Sequence, residues 1–315
     1  MSVDIVMATY NGMPYIREQL QSILWQDYPQ FRLLIHDDGS TDGTVEEIRK
    51  VAERYPDKVF FVEDGITFKD AKKNFEHLLK MTDADYIFLA DQDDVWLPSK
   101  VSAMVSTLQD IELLNGKKFP AIVYSDYFTV NAQDSPVLFD RYKDRQAWYS
   151  NISLEMLFVG GRVPGCAMAF NRAVLEIALP IPEEIKWHDH WLTLVACSCG
   201  KLFHVPVTTT LYRIHGRNTI GIKEKPTLFN RVKRWIHQMS NVVSDIENEA
   251  EQAKIHANTL LRRLQAQGCA REDSIKAIEE FLRFFSAPFY KRAKHVGTFV
   301  EGDFVHRFAR VILWH

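Results

Sequence analysis

Apolar runs that stop abruptly at polar loops set the pattern of this chain. Asp4-Ile5-Val6-Met7-Ala8 reads as a short strand, and the loop Thr9-Tyr10-Asn11-Gly12 ends it. Pro14 then opens a helix in which Ile16, Leu20, Ile23 and Leu24 keep helical spacing. The unit repeats at once: a strand from Phe31 to His36, the tight loop Asp37-Asp38-Gly39-Ser40-Thr41-Asp42-Gly43, and a helix from Thr44 to Arg54. Val59 to Val62 is a third strand and Asp70 to Met81 a third helix. The fourth strand, Tyr86-Ile87-Phe88-Leu89-Ala90, runs into Asp91-Gln92-Asp93-Asp94, and a further helix extends from Pro98 to Leu114.

Strands alternating with helices at this spacing predict an α/β fold, a mostly parallel sheet covered on both faces. In such sheets the loops that follow the strands line the ligand crevice. The loops at Thr9, Asp37 and Asp91 therefore converge on one edge. Three carboxylates within four residues repel one another unless a cation lies among them, and hard oxygen donors suit magnesium, manganese or calcium rather than zinc. An acidic turn before a proline-started helix is the plainer reading of the same residues. Asp37 and Asp42 read as turn-forming and helix-capping residues. Neither G-x-G-x-x-G nor G-x-x-x-x-G-K-[ST] occurs, which removes the usual dinucleotide and P-loop signatures.

Further along, Ala121 to Tyr124 is an apolar strand ending at Ser125-Asp126, where Asp126 reads as a strand-end cap. From Phe128 to Asn151 the pattern is irregular, with Phe139, Tyr142, Trp148 and Tyr149 among charges, long enough for a functional loop or small subdomain. Gly160 to Arg172 couples glycines to an apolar strand; Gly165 lets a substrate approach the backbone, and Cys166 reads as a small packed residue. Trp187-His188-Asp189-His190 introduces an apolar helix through Ala196, without further ligands at zinc spacing. A strand from Val205 leads to Tyr212-Arg213-Ile214-His215-Gly216-Arg217-Asn218. Pro226 to Leu264 and Ser274 to Phe285 predict a helical tail.

Composition narrows the classes. With 315 residues, 46% of them hydrophobic, the chain buries a large core as one large domain or two smaller ones. A net charge of -3 carries no whole-chain footprint for nucleic acid. No secretory signal and no run of 18 apolar residues is visible. Cys166, Cys197, Cys199 and Cys269 lack paired metal-site spacing, so a reducing cytoplasm is the simplest compartment. The stretch from Val296 to Trp314, preceded by Lys291, Arg292 and Lys294, is basic and amphipathic. Peripheral contact with the inner face of a cell membrane, a homo-oligomer contact, and packing on the domain all fit it.

Val6-Met7-Ala8-Thr9-Tyr10-Asn11-Gly12, then Asp37 to Thr44, then Ala90-Asp91-Gln92-Asp93-Asp94-Val95-Trp96 resemble, in order, the successive motifs of family 2 glycosyltransferases. The resemblance implies the GT-A fold, a Rossmann-like nucleotide-binding half joined to an acceptor-binding half, and sugar transfer with inversion. Domains of 1–127 (nucleotide-sugar half), 128–222 (acceptor half) and 223–315 (helical region) follow. It makes Thr9 and Asn11 nucleoside contacts and puts Asp38 near the base or ribose. Asp91 and Asp93 become the D-x-D pair holding Mn2+ or Mg2+ on the donor diphosphate, with Asp94 not distinguished from them as the direct ligand. The glycine-led strand at Gly165 precedes the acceptor site. Family members carry an acidic pair where this chain has His188-Asp189, so the match to the catalytic base is Asp189 alone, with Trp187 and His188 beside the acceptor or donor sugar. The segment Tyr212 to Gly221 is similar to one in bacterial rhamnosyltransferases of surface polysaccharides. There Arg213 and Arg217 pair with diphosphate oxygens, and His215 completes the metal shell or contacts phosphate.

The expected activity is thus transfer of a sugar, first rhamnose from dTDP-rhamnose and otherwise a UDP-hexose, to a growing surface glycan, free or lipid-linked. A metal-dependent phosphohydrolase using Asp91, Asp93, His188 and His190, and a noncatalytic carbohydrate-binding protein, are the readings from other classes.

Overall fold

A computed structural model of the chain describes residues 1–131, 152–158, 163–216 and 239–286. The described residues fall into two compact units, one built from residues within 1–151 and 163–216, the other from residues within 152–162 and 217–315. Arg217, the aromatic stretch beyond residue 131, Gly160 and Gly161, and the basic C-terminal segment lie outside the described residues.

The first unit opens with β1 (Val3–Thr9), α1 (Ile16–Leu24), β2 (Arg32–Asp37), α2 (Thr44–Arg54), β3 (Val59–Val62), α3 (Ala71–Met81) and β4 (Tyr86–Ala90). It continues through β5 (Val95–Trp96), α4 (Lys100–Asn115) and β6 (Ala121–Asn131). After a turn of 3-10 helix at Gly165–Ala167 come β7 (Met168–Asn171), α6 (Arg172–Ala178), α7 (His188–Cys199) and β8 (Lys201–Ile214), α5 being reserved for a short helix, Leu154–Phe158, of the second unit. All eight strands form one sheet in the order β3-β2-β1-β4-β7-β6-β8-β5. The β3-β2-β1-β4 half is parallel throughout, as the strand and helix alternation requires. β7 then enters antiparallel between β4 and β6, and β8 runs parallel to β6. The sheet is therefore mixed.

β1 and β4 are buried on both faces, which explains their unbroken apolar runs. Ile5, Met7, Tyr86, Phe88, Leu33 and Ile35 meet Ile16, Leu20, Ile23, Val101, Met104 and Leu108 in one core. On the other face of β1 a buried charge is paired by register: Asp4 faces Arg32 on β2, whose Nε and Nη2 each donate to a carboxylate oxygen at 2.8 Å.

β6 extends past the expected end at Tyr124, because register shifts on either side of Asp126 absorb its mismatch with β8 and let pairing resume to Asn131. Asp126 is thus an interior strand residue, its Oδ1 lying 2.9 Å from His204 Nε2 on β8. At the other end of β8, Gly200 closes α7 where Lys201 N donates to Pro120 O at 3.0 Å. A Cβ on Gly200 would lie 1.7 Å from that carbonyl oxygen. Gly200→Ala is expected to cost about 2–3 kcal/mol, the upper part of the range for overpacking, read as a lower urea midpoint at unchanged slope. A loss under about 1 kcal/mol would mean that this junction yields without strain.

The second unit contains α5, α8 (Met239–Gln267) and α9 (Glu272–Ser286). In α8, Ala250, Ala253, Ala257, Leu260 and Leu264 recur at steps of three and four and are buried, so three small residues are followed by two large ones on its inner stripe. Phe281 of α9 packs on Phe158 of α5 with ring centroids 4.7 Å apart. Among the described residues no helix is long and apolar enough to cross a membrane.

Candidate active site

The C-terminal ends of β1, β2 and β4 bring the three polar loops together. Thr9, the last residue of β1, donates from Oγ1 to Asp37 Oδ1 at 2.8 Å. Asp37 Oδ2 accepts the amides of Gly39 and Ser40, so this acid builds the turn. Asp42 likewise accepts from Thr44 N and Oγ1 and from Met13 N. Asn11 takes a left-handed backbone (φ 48°), which asparagine tolerates better than other side-chain-bearing residues, and its Oδ1 accepts from Thr41 N at 2.9 Å. Asp38 is buried, and its carboxylate accepts from Phe68 N and, at 3.1 Å, from Asp70 N. It therefore ties the loop before α3 to the end of β2, each oxygen keeping a second lone pair.

The acid cluster is held from three directions. Gln19 on α1 donates to Asp91 O at 2.8 Å. Gln92 exchanges two hydrogen bonds of 2.9 Å with the backbone of Tyr10, fastening the third loop to the first. Arg213 on β8 is buried; its amide donates to Asp94 Oδ1 at 3.2 Å, its Nε to Asp93 O at 2.9 Å and its Nη2 to Glu18 Oε2 at 2.6 Å. The guanidinium also lies over the Tyr15 ring. With those partners Arg213 is a positioning residue for the Asp93-Asp94 turn.

Neighbouring acids point different ways. Asp93 Oδ2 lies 2.8 Å from His215 Nε2, and the His215 ring stacks on Tyr15 at 4.7 Å. Asp91 and Asp94 converge instead with Cys166, donor atoms of the three lying within 4.8 Å of one another. Asp94 is fully buried and its Oδ2 has no hydrogen-bond partner. Burial, then the charges of Asp91 and Asp93, push its carboxyl well above the ordinary value and favour the neutral acid. The same causes act on Asp91: burial first, then Asp93 and Asp189, raise it to about 7. Beneath the cluster sits the buried Lys100, its ammonium donating to Cys166 O and, at 2.7 Å, to Thr210 Oγ1, and lying 4.3 Å from the centre of the Trp96 ring. Burial lowers its pKa to about 8 against the pull of the neighbouring acids.

A divalent cation fits this donor set. Clustered carboxylates, one raised to about 7 by burial and then by its acidic neighbours and another with an orphaned buried oxygen, are the hard, under-compensated oxygens that Mg2+ or Mn2+ takes.

Across from the cluster, Asp189 occupies the first turn of α7, where the helix dipole favours a carboxylate. Its Oδ2 accepts from Gly165 N at 3.2 Å and its Oδ1 from His190 N at 2.7 Å, so two amides set its orientation. A Cβ on Gly165 would touch Asp189 Cβ and Leu89 Cδ1 of β4, both at 3.4 Å. Gly165 thus occupies the narrow interval between the end of the central strand and this carboxylate. His188 turns away and stacks on Phe75 of α3 at 4.0 Å, and burial lowers its pKa. Trp187 is partly exposed, with Lys186 Nζ 4.9 Å from its ring centre.

A family model for Glycosyl transferase family 2 matches residues 4–176, more than half of the chain and all three loops. The chain belongs to glycosyltransferase family 2. Among curated relatives, an uncharacterized glycosyltransferase of Nostoc sp. is 24% identical over 225 residues, 69% of this chain. The dTDP-rhamnosyl transferase RfbG of Shigella flexneri is 38% identical over 105 residues, 32% of this chain. The matches span 66% and 36% of those relatives' own lengths, under two thirds of each. Among solved structures, the Pyrobaculum calidifontis mannosyltransferase PcManGT, in complex with GDP-Man and Mn2+, superposes with a TM-score of 0.53 at 16% identity, covering 98% of this chain and 86% of that one. Residues 1–349 of S. aureus TarS, in complex with UDP-GlcNAc, give 0.51 at 18% identity over 100% and 89%. The mixed sheet of this family 2 chain is the GT-A fold that the sequence predicts.

Lys100, Gln19, Gln92 and Glu18 escaped sequence reasoning, since each reads as an exposed helix or loop residue. The available signal was the position of Lys100 six residues after Asp94, at the start of the helix that packs beneath the cluster.

Proposed function

We propose that this chain transfers a sugar from a nucleoside diphosphate donor to an acceptor hydroxyl with inversion, using Asp189 as the base. The carrying observation is the pairing of two opposed acidic elements: the Asp91 cluster at the end of β4, and Asp189 fixed by the Gly165 and His190 amides close enough to raise Asp91. Thr9, Asn11 and the Asp38 turn form the nucleoside side of the crevice, and Asp91, Asp93 and Asp94 hold the metal, with His215 orienting Asp93. A bound divalent ion neutralises charge on the departing diphosphate. Asp189 takes the acceptor proton as the hydroxyl attacks from the opposite side, and Trp187 and Gly165 border that hydroxyl. Arg213 keeps the cluster in place, while Arg217 remains a proposed diphosphate contact. The catalytic domain is taken as 1–222 with halves meeting near 127, and 223–315 as an accessory helical region.

The donor proposed is dTDP-rhamnose, supported by the 38% identity to RfbG in its matched segment, and the acceptor a growing cell-surface glycan, free or lipid-linked. Donors named for the compared structures, UDP-GlcNAc and GDP-Man, set the alternatives.

Calorimetric titration with TDP, UDP and GDP, each with and without Mn2+, tests the donor site. One nucleotide is expected to bind more tightly with Mn2+, and an Asp91→Asn/Asp93→Asn variant to lose that gain. The gain depends on pH in a set direction. Between the ordinary carboxylate value of 3.8 and about 7, the folded apo protein holds a proton on Asp91 that the unfolded chain releases. Its contribution to stability is thus lost as pH rises through 7, and a cation must displace that proton below 7. Mn2+-dependent affinity should fall about fivefold from pH 7 to pH 6 and gain no more than about twofold above pH 7. No binding of any of the three nucleotides by folded protein would sink the donor site.

A further inference from the structure

Away from the acid cluster, a second set of chemistry-bearing side chains meets beyond the ends of β2 and β3: His36, Asp64 and His77. His36 is buried on β2, whereas Asp64 and His77 retain 30% and 23% side-chain exposure, so solvent reaches the set from one side. Asn74 decides the state of His36. Its Nδ2 donates to His36 O at 3.3 Å, which turns its Oδ1 toward His36 Nδ1 at 2.8 Å. An amide oxygen only accepts, so Nδ1 carries the hydrogen and, in the singly protonated ring, Nε2 is a bare lone pair. That lone pair faces Asp64 Oδ1 at 3.3 Å, and His77 Nε2 faces Asp64 Oδ2 at 2.7 Å.

A lone pair on His36 Nε2 turned toward a carboxylate is satisfied only by a proton or a cation between the two. The arrangement is the one by which proteins aim a metal-binding histidine, the outer ring N–H being held by a second partner that sets the tautomer. Donor atoms of the three residues lie within 4.8 Å of one another. Around a tetrahedral ion with N and O ligands at about 2.0–2.1 Å, donors sit about 3.3 Å apart, so small side-chain shifts suffice. Two imidazoles with one carboxylate favour zinc-class ions over magnesium.

We propose that His36, Asp64 and His77 form a second cation site, of the zinc class, separate from the Asp91 cluster. Asp64 lies just ahead of the segment whose Phe68 and Asp70 amides bind Asp38. Phe68 packs on the His36 and His77 rings at 5.7 and 5.3 Å, and Thr67 approaches Gly39, whose φ of 88° makes any side chain there strained and whose Cβ would lie 3.2 Å from Thr67 Cγ2. An ion here clamps that segment between β2 and α3, and so fixes one wall of the crevice beside Asp38. The site stands on its own ligands, independent of the transfer reaction.

Zn2+ alone, titrated into the full chain by calorimetry, is the test, with Co2+ as a coloured substitute. The expected result is a Zn2+ equivalent whose affinity drops more than about 100-fold in His77→Ala and in Asp64→Asn, beyond what outer-shell changes usually cost, and holds in Asp91→Asn. The visible absorption of bound Co2+ should disappear in the same two variants. Zn2+ binding whose stoichiometry is undiminished in both variants, or a single equivalent lost only in Asp91→Asn, overturns the proposal. So does the absence of Zn2+ binding to folded wild-type protein, which would leave the three side chains joined by protons alone.

Discussion

Asp189→Asn is expected to lower kcat about a thousandfold, measured as nucleoside diphosphate released from the donor in the presence of acceptor. A positioned general base contributes roughly 10²–10⁴ in rate, and the middle of that range is taken for Asp189, whose orientation is fixed by the Gly165 and His190 amides. A thousandfold corresponds to about 4 kcal/mol of transition-state stabilisation. The substitution keeps the size and the first-turn position of the side chain. It leaves one amide, of Gly165 or His190, facing a donor instead of an acceptor, a disturbance confined to the side of α7 that faces the site. Nucleotide affinity should change by less than about twofold, because loss of an interaction made only in the transition state lowers kcat without weakening ground-state binding. Retention of more than about a tenth of the rate would remove Asp189 as base. The phosphohydrolase alternative makes the opposite forecast: phosphate release from simple esters would persist in this variant, with no requirement for an acceptor.

Much of this site was legible because backbone periodicity and loop chemistry lie along the chain. Buried parallel strands must be apolar through their length, so Val3–Thr9 and Tyr86–Ala90 stand out, and the residues where the runs stop are those delivered to the crevice. That much puts the loops of Thr9, Asn11, Asp38 and Asp91 at one edge of the sheet; the roles expected of these residues come from the resemblance to family 2. What stayed hidden depends on direction and distance. Asp93 and Asp94 are adjacent, yet one reaches His215 and the other turns inward beneath Arg213, a choice made by β8 more than a hundred residues away. Lys100 reads as a solvated residue in a first helical turn, and only the packing of α4 against the sheet puts it under the acids. His36, Asp64 and His77 sit on a strand, a loop and a helix, and no spacing rule joins them. Strand length was hidden for another reason: the register shifts at Asp126 break alternation at the point where a reader of the sequence ends the strand.

Lys100→Met should destabilise the first unit by about 3–5 kcal/mol, the usual consequence of removing one partner from a buried set of charges. Against a typical stability of about 5–15 kcal/mol that is a large fraction, so the urea midpoint recorded without added divalent ion should fall well below that of the wild type. The loss has two sources. Cys166 O and Thr210 Oγ1 give up their buried donor, and the Asp91 carboxylate loses the cation that offsets its buried charge. The second source makes the prediction specific. Asp91→Asn in the Lys100→Met background removes the carboxylate left uncompensated and should recover part of the stability, whereas in the wild-type background the same change deprives Lys100 of a charge partner and should not stabilise. The pH response separates them further. Because burial lowers Lys100 to about 8 while the unfolded chain keeps its lysine protonated to about 10.5, the wild type should gain stability between pH 8 and 10, and Lys100→Met should lack that gain. A Lys100→Met midpoint within about 1 kcal/mol of the wild type would show that the acids are balanced without it. The pairing of a buried lysine with a neutral Asp94 would then be incidental to packing, and the charge beneath the Asp91 cluster would have to come entirely from the bound divalent ion.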